Sequence, residues 1–461
     1  MSQFSKRSLF QRDAALVPIT RHQVQTSAEP SPFRRQQSTM AKSSHSTHNE
    51  GVAPAQRAEK TVVHSQSVGL PPTSHQQEQQ LSESTLVDEI LAYAFEKQAS
   101  DIHFEPYETR YRIRLRIDGM LRTYPYTSTI NASRIAARLK ILAQLDIAEK
   151  RLPQDGQFKR EYQQQRFSLR LSTLPIASGE KIVLRIIRSA QHFLALEELG
   201  LTLPQTALLR QALNAPQGLI LVTGPTGSGK TVTLYSGLNY LNQGERNLCT
   251  VEDPIEVPLN GINQAQIVPK AGLGFSEILR AFLRQDPDVI MVGEIRDSET
   301  AATAIQAAQT GHLVLSTLHT NSALETLERL VQMGIPAYQL TACLRLIVAQ
   351  RLVRRLCEHC KQQKRSDVML ERADGSLFSS RPFRAVGCKK CDEGYRGRIG
   401  VFELLAITEP LKALLLSQQE SVTLKKMVYT QATGMLYEQA LESVTQGVTS
   451  VEELYRVFGE Q

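Results

Sequence analysis

The run Gly224-Pro225-Thr226-Gly227-Ser228-Gly229-Lys230-Thr231 has the residue types and spacing that hold a nucleotide phosphate. A loop this rich in glycine bends sharply between a strand and a helix, so that its backbone N–H groups converge on one anion. A Cβ at the glycines would block the phosphate and forbid the dihedrals. Lys230 would reach the β- and γ-phosphates, and the Thr231 hydroxyl would ligate Mg2+. Two acidic groups follow apolar runs further on. Glu252 comes directly after Asn247–Val251, and Glu294 after Val289–Gly293. Carboxylates at strand ends beside a phosphate loop are placed to hold a metal through water or to orient an attacking water. A plain solvent-facing acid is the alternative at each. His312 and His319 bracket a third apolar run. By position they read as γ-phosphate sensors at the same sheet edge, with packing or surface roles as the alternative.

The cysteines offer a different chemistry. Cys357-Glu-His-Cys360 and Cys388-Lys-Lys-Cys391 are two Cys-x-x-Cys knuckles separated by a polar stretch, the spacing of a four-thiolate zinc site. Redox pairs are the alternative, but neither knuckle has the strand-helix context that such pairs need. Cys249 and Cys343 lie among apolar neighbours and read as core residues.

Elements must bring these groups together. Leu219–Val222 is a short unbroken apolar run, as a fully buried parallel strand requires, and Val232–Leu241 follows the loop as a helix. With 461 residues, two to four domains are expected. The net charge of +7, from 53 basic and 46 acidic residues, is a mild bias toward anionic partners. No window has the apolar length of a membrane span and the N-terminus lacks a signal-peptide core, so a cytoplasmic protein with peripheral membrane association is expected. There, cysteines are thiols or metal ligands.

Along the chain, residues 1–80 are rich in Gln, Ser, His and Arg and read as a disordered polar tail, whose scattered arginines are either solvated or a tether. Residues 82–190 read as a small α/β domain. Leu86, Val87, Ile90, Leu91, Ala94 and Phe95 recur at helical spacing, with Ser82 or Ser84 as cap. Tyr111, Ile113, Leu115 and Ile117 alternate with Arg110, Arg112, Arg114 and Arg116 ahead of an Asp118-Gly119 hairpin turn. Ile135, Leu139, Leu142 and Ile147 predict a second helix, and Phe167–Thr173 and Lys181–Arg188 further strands. Arg170 and Arg185 interrupt these strands and need an anion: a local carboxylate such as Glu180, or a phosphate brought by another domain or subunit. A linker at 191–205, a nucleotide domain at 206–350, a tetracysteine module at 351–400 and a helical segment at 401–461 complete the expected organisation.

Taken together, GPTGSGKT, VEDPIE, LRQDPDVIMVGEIRDSET and QTGHLVLSTLHTN, with RLPQDGQF, LRLSTLP and GEKIVLRI before them and GYRGRIGVFELL after, resemble the secretion ATPases that power type II secretion and type IV pilus assembly. The resemblance runs from about residue 82 to the C-terminus. It implies an α/β chain: a RecA-like P-loop domain preceded by a small PAS-like α/β domain, with a zinc-knuckle insertion and a C-terminal helical segment. It also implies ATP, Mg2+ and Zn2+ as cofactors, and a homo-hexameric ring that acts on an inner-membrane platform protein. Arg170 and Arg185 would then meet phosphates, Glu294 with Glu252 would handle metal and water, and Arg280 and Arg284 would lie near the subunit boundary. Members usually carry an N-terminal recruitment domain; the corresponding region here is the Gln/Ser/His-rich tail. Pilus retraction motors share the nucleotide domain but lack the knuckles. A nucleic-acid translocase is a rival from another class, yet the chain has no recognisable nucleic-acid module or aromatic-basic stacking pattern. A nucleotide-gated scaffold with little hydrolysis is a third reading, against which the complete acidic set speaks.

Overall fold

The computed structural model describes residues 83–459, apart from 109, 127–130, 189–193 and 418–420, within one compact unit. The polar tail and the expected helix cap Ser82 lie outside the described residues, as does the start of the expected linker; the alternative cap Ser84 falls inside the first helix and so does not cap it. The helix α1 (Glu83–Glu96) buries Leu86, Val87, Ile90, Leu91, Ala94 and Phe95. It packs with α2 (Ala132–Leu142) on one face of a six-stranded antiparallel sheet. The strands are β1 (Asp101–Pro106), β2 (Tyr111–Ile117), β3 (Met120–Thr123), β4 (Gln154–Tyr162), β5 (Gln165–Ile176) and β6 (Gly179–Arg188), in the order β3-β2-β1-β6-β5-β4. In β2 the strict alternation buries Tyr111, Ile113, Leu115 and Ile117, because successive strand side chains point to opposite faces. The turn after it sets Asp118 and Gly119 both at positive φ, the primed geometry that matches strand twist. Ile147 lies beyond the end of α2 and is exposed, unlike the helix-face residue that the spacing suggested.

The second layer system is built on a seven-stranded sheet. Its members are β7 (Gly218–Thr223), β8 (Leu248–Glu252), β9 (Asn263–Gln266), β10 (Val289–Val292), β11 (Leu313–Leu318), β12 (Leu344–Leu356) and β17 (Tyr395–Ala406), in the order β17-β12-β7-β11-β10-β8-β9. All neighbours run parallel except β17, which runs antiparallel to β12. Every residue of β7, β8, β10 and β11 is buried, since helices cover both faces. Leu219 and Leu221 join the core on one face and Ile220 and Val222 the core on the other.

Three expected boundaries move. Leu196 and Leu199, in the stretch read as linker, are buried in the second core, and α3 (Leu203–Leu213) begins there under a Thr202 cap. The strand β12 runs straight through the 350/351 boundary. Residues 401–406, expected to be helical, form the second half of β17; the run Val401–Leu405 is wholly buried, and such a run carries no period to tell strand from helix. Two short ribbons fill the intervening region: β13 (Gln362–Gln363) with β16 (Phe383–Arg384), and β14 (Val368–Glu371) with β15 (Leu377–Ser380). Helices α4 to α8 connect the sheet strands, at Lys230–Leu241, Phe275–Phe282, Ser298–Gln309, Ala323–Gln332 and Ala337–Cys343. Helices α9 (Glu409–Leu416), α10 (Ser421–Gln431), α11 (Leu436–Thr445) and α12 (Val451–Phe458) close the chain. No helix among the described residues is long and apolar enough to cross a membrane.

Candidate nucleotide site and metal centre

Because β7, β8, β10 and β11 are parallel, whatever follows each of them emerges at one edge of the sheet. The phosphate-loop residues Gly224–Gly229 follow β7, and α4 starts at Lys230 with Gly229 as its left-handed cap. Glu252 ends β8, Glu294 lies just past β10, and His319 just past β11. His312 does not join them. It precedes β11 at the opposite edge, where its carbonyl accepts from Gly218 N–H and its ring bonds the Ala307 carbonyl. A parallel strand has only one end at the ligand edge, so the expectation of two histidine sensors fails for His312.

The glycines of the loop serve different ends. A Cβ on Gly224 would lie 2.5 Å from the Gln350 carbonyl and 2.6 Å from Ser228 Oγ, and one on Gly229 2.9 Å from Gln350 Nε2. At Gly227 a Cβ would meet nothing within 4 Å; there the φ of +81° is the constraint. Close packing against β12 thus explains two glycines that sequence reasoning ascribed to the phosphate alone. Ser228 Oγ is buried without a protein partner, and the first N–H groups of α4 face the same loop, a donor set that fits an anion. Lys230 Nζ donates to the carbonyls of Gly224 at 2.8 Å and Pro225 at 3.2 Å. Burial pushes its pKa below the usual lysine value; the Glu294 carboxylate opposes that fall and the Arg351 guanidinium adds to it. Thr231 is exposed directly after the loop, where its hydroxyl is open to a ligand.

The two acids differ. Glu252 is buried and accepts from Tyr235 OH, from Thr250 Oγ1 at 2.6 Å and from Gln264 Nε2 at 3.0 Å, so both its oxygens are engaged. Glu294 accepts from Arg296 and lies 3.1 Å from His319 Nε2. Burial disfavours its ionisation, but the Arg296 and His319 contacts outweigh that and hold its carboxyl below the ordinary glutamate value. Arg296 also faces Asp253 at 3.7 Å, giving a charged row Asp253, Arg296, Glu294, His319 along the edge. Thr223 Oγ1 receives Thr320 N–H at 3.1 Å, which ties the end of β7 to the loop after β11.

On the small domain's open face, Arg116, Asp101, Arg185 and Arg170 stand side by side across β2, β1, β6 and β5. Arg185 pairs with Asp101 at 3.2 Å, and Glu180 is taken by Lys140 at 2.5 Å. The carboxylate for Arg185 is therefore Asp101 and not the sequence neighbour. Arg170 reaches out of its own domain: it donates to the Ile255 carbonyl at 2.6 Å and lies 3.6 Å from Glu256, in the loop that follows Glu252. Arg280 and Arg284 make local contacts among the described residues, Arg280 with Glu299 and Glu277, Arg284 with the Arg280 carbonyl. Arg351, Gln350, Tyr235, Gln264 and Arg296 were not singled out from the sequence. Arg296 lay inside the quoted run GEIRD, but the others gain their meaning only from long-range packing.

Cys357 and Cys360 follow β12, and Cys388 and Cys391 precede β17, whose pairing with β12 brings the knuckles together. The four Sγ atoms lie within 4.8 Å of one another, with separations of 3.9 Å for Cys357 to Cys388, 3.7 Å for Cys360 to Cys391 and 3.6 Å for Cys388 to Cys391. A tetrahedron with Zn–S of about 2.3 Å has edges of about 3.8 Å, so the donor set fits zinc. The knuckle is also an anchor for the small domain. Arg122 of β3 donates to Asp392 at 2.7 Å and pairs with Glu393, and Asp118 accepts from Gly397 N–H at 2.8 Å.

A family model described as Type II/IV secretion system protein matches residues 75–456. The protein transport protein HofB homolog of Escherichia coli (strain K12) is 50% identical over 384 residues, covering 83% of this chain and 83% of that protein. The type IV pilus assembly ATPase PilB of Acinetobacter baylyi is 47% identical over 381 residues, covering 81% of this chain and 66% of that longer protein. Among solved structures, that of the pilus retraction motor PilT with bound ADP aligns with a TM-score of 0.54 and 27% identity, over 80% of this chain and 95% of that one. With the phosphate loop, the acidic strand ends and the fold in agreement, the chain belongs to the Type II/IV secretion system protein family.

Proposed function

We propose that this chain is an ATP-hydrolysing motor that works as a homo-hexameric ring at the cytoplasmic face of the inner membrane, driving assembly of a type IV pilus or type II secretion pseudopilus through a membrane platform protein. The observation that carries the reading is the single sheet edge at which the Gly224–Thr231 loop, Glu252, Glu294 and His319 meet. In this reading the loop N–H groups and Lys230 hold the ATP phosphates, and Thr231 and Glu294 are the groups for Mg2+, which supplies charge neutralisation when bound. Glu294, with His319 beside it, orients water. Glu252, held by three donors, is fixed in place at the same edge. Arg170, which already reaches the loop after Glu252, and Arg185 beside it are the small-domain cations that would meet phosphate, and Arg280 and Arg284 serve the subunit boundary. Zinc on the four cysteines staples the region between β12 and β17. The cysteine set favours assembly over a retraction motor, in keeping with the 50% identity to a protein transport protein and 47% to a pilus assembly ATPase.

The test is Mg2+-dependent ATP turnover by the purified chain, with its particle mass. Turnover by a particle of six chains, lost by about 10²-fold or more in Lys230→Ala, is expected. A Lys230→Ala protein within a few-fold of wild type, or turnover that requires added DNA, would sink the reading.

A further inference from the structure

We propose that Gln350 is a positioning residue of the ATPase reaction, holding the phosphate loop open toward its ligand from behind. The inference rests on the loop being the ATP site. For the loop's N–H groups to face a phosphate, its carbonyls must turn into the protein, where each needs a donor. The Ser228 carbonyl has one: Gln350 Nε2 at 2.8 Å. The other end of the same amide accepts from Thr233 Oγ1 at 2.8 Å, in the first turn of α4. A carbonyl can only accept, so the amide's orientation is set by Ser228, and one side chain bridges the loop to its helix.

Topology supplies the reach. The pairing of β12 with β7 ends at Ala349 opposite Thr223, but β12 continues to Leu356 and so passes alongside the loop that β7 has just released. Gln350 is the first residue of that overrun. It is 2% exposed, and an added Cβ would strike its main-chain carbonyl from Gly224 and its Nε2 from Gly229. A buried glutamine with both ends bonded, to which two glycines have been fitted, has little freedom and transmits little of its own disorder to the loop. Its loss would leave the Ser228 carbonyl free to rotate toward the ligand side, where it would repel a phosphate.

The loop N–H groups meet the phosphates in the ground state and in the transition state alike, so a loosened loop raises KM more than it lowers kcat. The experiment measures ATP turnover and ATP affinity by calorimetry for Gln350→Met, which keeps volume and removes both bonds. A rise of about tenfold in KM and Kd is expected, together with a lower melting temperature of the nucleotide-free protein, since the buried Ser228 carbonyl and Thr233 hydroxyl lose their partner. KM within twofold of wild type in a folded Gln350→Met protein overturns the proposal, as does a fall in melting temperature with KM unchanged. Should that variant not fold, Thr233→Val removes one bond while keeping shape. It should raise KM in the same direction, with Thr233→Ser restoring it; a normal KM in Thr233→Val overturns the proposal equally. Lys230→Ala separates the two layers of inference. If it binds ATP normally the phosphate-loop reading itself fails, whereas loss of binding there with normal Gln350 variants removes only Gln350.

Discussion

Gly224 and Gly227 look alike in the sequence, yet the space around them predicts opposite consequences of adding a methyl group. Gly224→Ala drives Cβ into the Gln350 carbonyl and Ser228, so loss of stability of the nucleotide domain is expected, read as a lower melting temperature without nucleotide. Gly227→Ala meets no atom and bears only the left-handed backbone, worth about 1–2 kcal/mol. Its defect should lie in ATP affinity, with the melting temperature of the free protein lowered less than in Gly224→Ala; the reverse ranking would disprove the division. Glu294→Gln should retain ATP binding, measured directly, while turnover falls by about 10²-fold or more. Since its folded pKa is depressed, Glu294 stays ionised as pH falls through the usual glutamate value of about 4.3. The acidic limb attributable to it therefore belongs below that value, and an acidic limb centred above it would point to another group. The phosphate loop was legible because its chemistry is local, eight consecutive residues around one anion. Gln350 was not, because its role depends on a strand more than a hundred residues away in the chain.

At the scale of elements, the parallel strands were legible as unbroken apolar runs, and β2 as a strict alternation. The strand β4 was missed: its QDGQFKREY holds one buried apolar residue, Phe158, and its place is dictated by pairing with β5. The charged face of the small sheet also took its meaning from pairing. Its arginines were visible in the sequence, but their neutralisation by β1 was not. Glu105 accepts from Arg112 at 3.0 Å and from Arg114 at 2.8 Å and 2.9 Å. Burial raises its pKa, but those bonds outweigh it and hold the carboxyl at about 2. A depressed folded pKa stabilises the native state above the unfolded value, and that stabilisation is lost as pH falls through the folded value. Wild type should therefore exceed Glu105→Gln in melting temperature by the most above pH 4.5, and the gap should close toward pH 2. A gap independent of pH would mean that shape and not charge carries the pairing.

In the whole molecule, metal and domain docking share one segment. Purified protein should carry about one zinc per chain, with loss of that zinc in Cys388→Ser measured by metal analysis; a metal-free wild type never exposed to chelator would contradict the site. Asp392 follows Cys391 directly, so removing zinc should also release Arg122. Arg122→Glu should speed protease cleavage between the small domain and the nucleotide domain, and Asp392→Arg in the same chain should restore part of the protection, a coupling of about 0.5–3 kcal/mol being usual for contacting residues. No restoration would place the clasp elsewhere. The two bridges described above, Arg122 with Asp118 at the β3 end and Arg170 on β5, lie four strand spacings apart, about 19 Å. A stiff plate fastened at two points can turn only about the line through them. While both hold, the small domain has one axis of swing; were Arg170 to give up Ile255 and Glu256 for a phosphate, as the proposed function requires, the plate would be left on a ball joint at the cysteine knuckles, free to tilt in every direction that the linker permits.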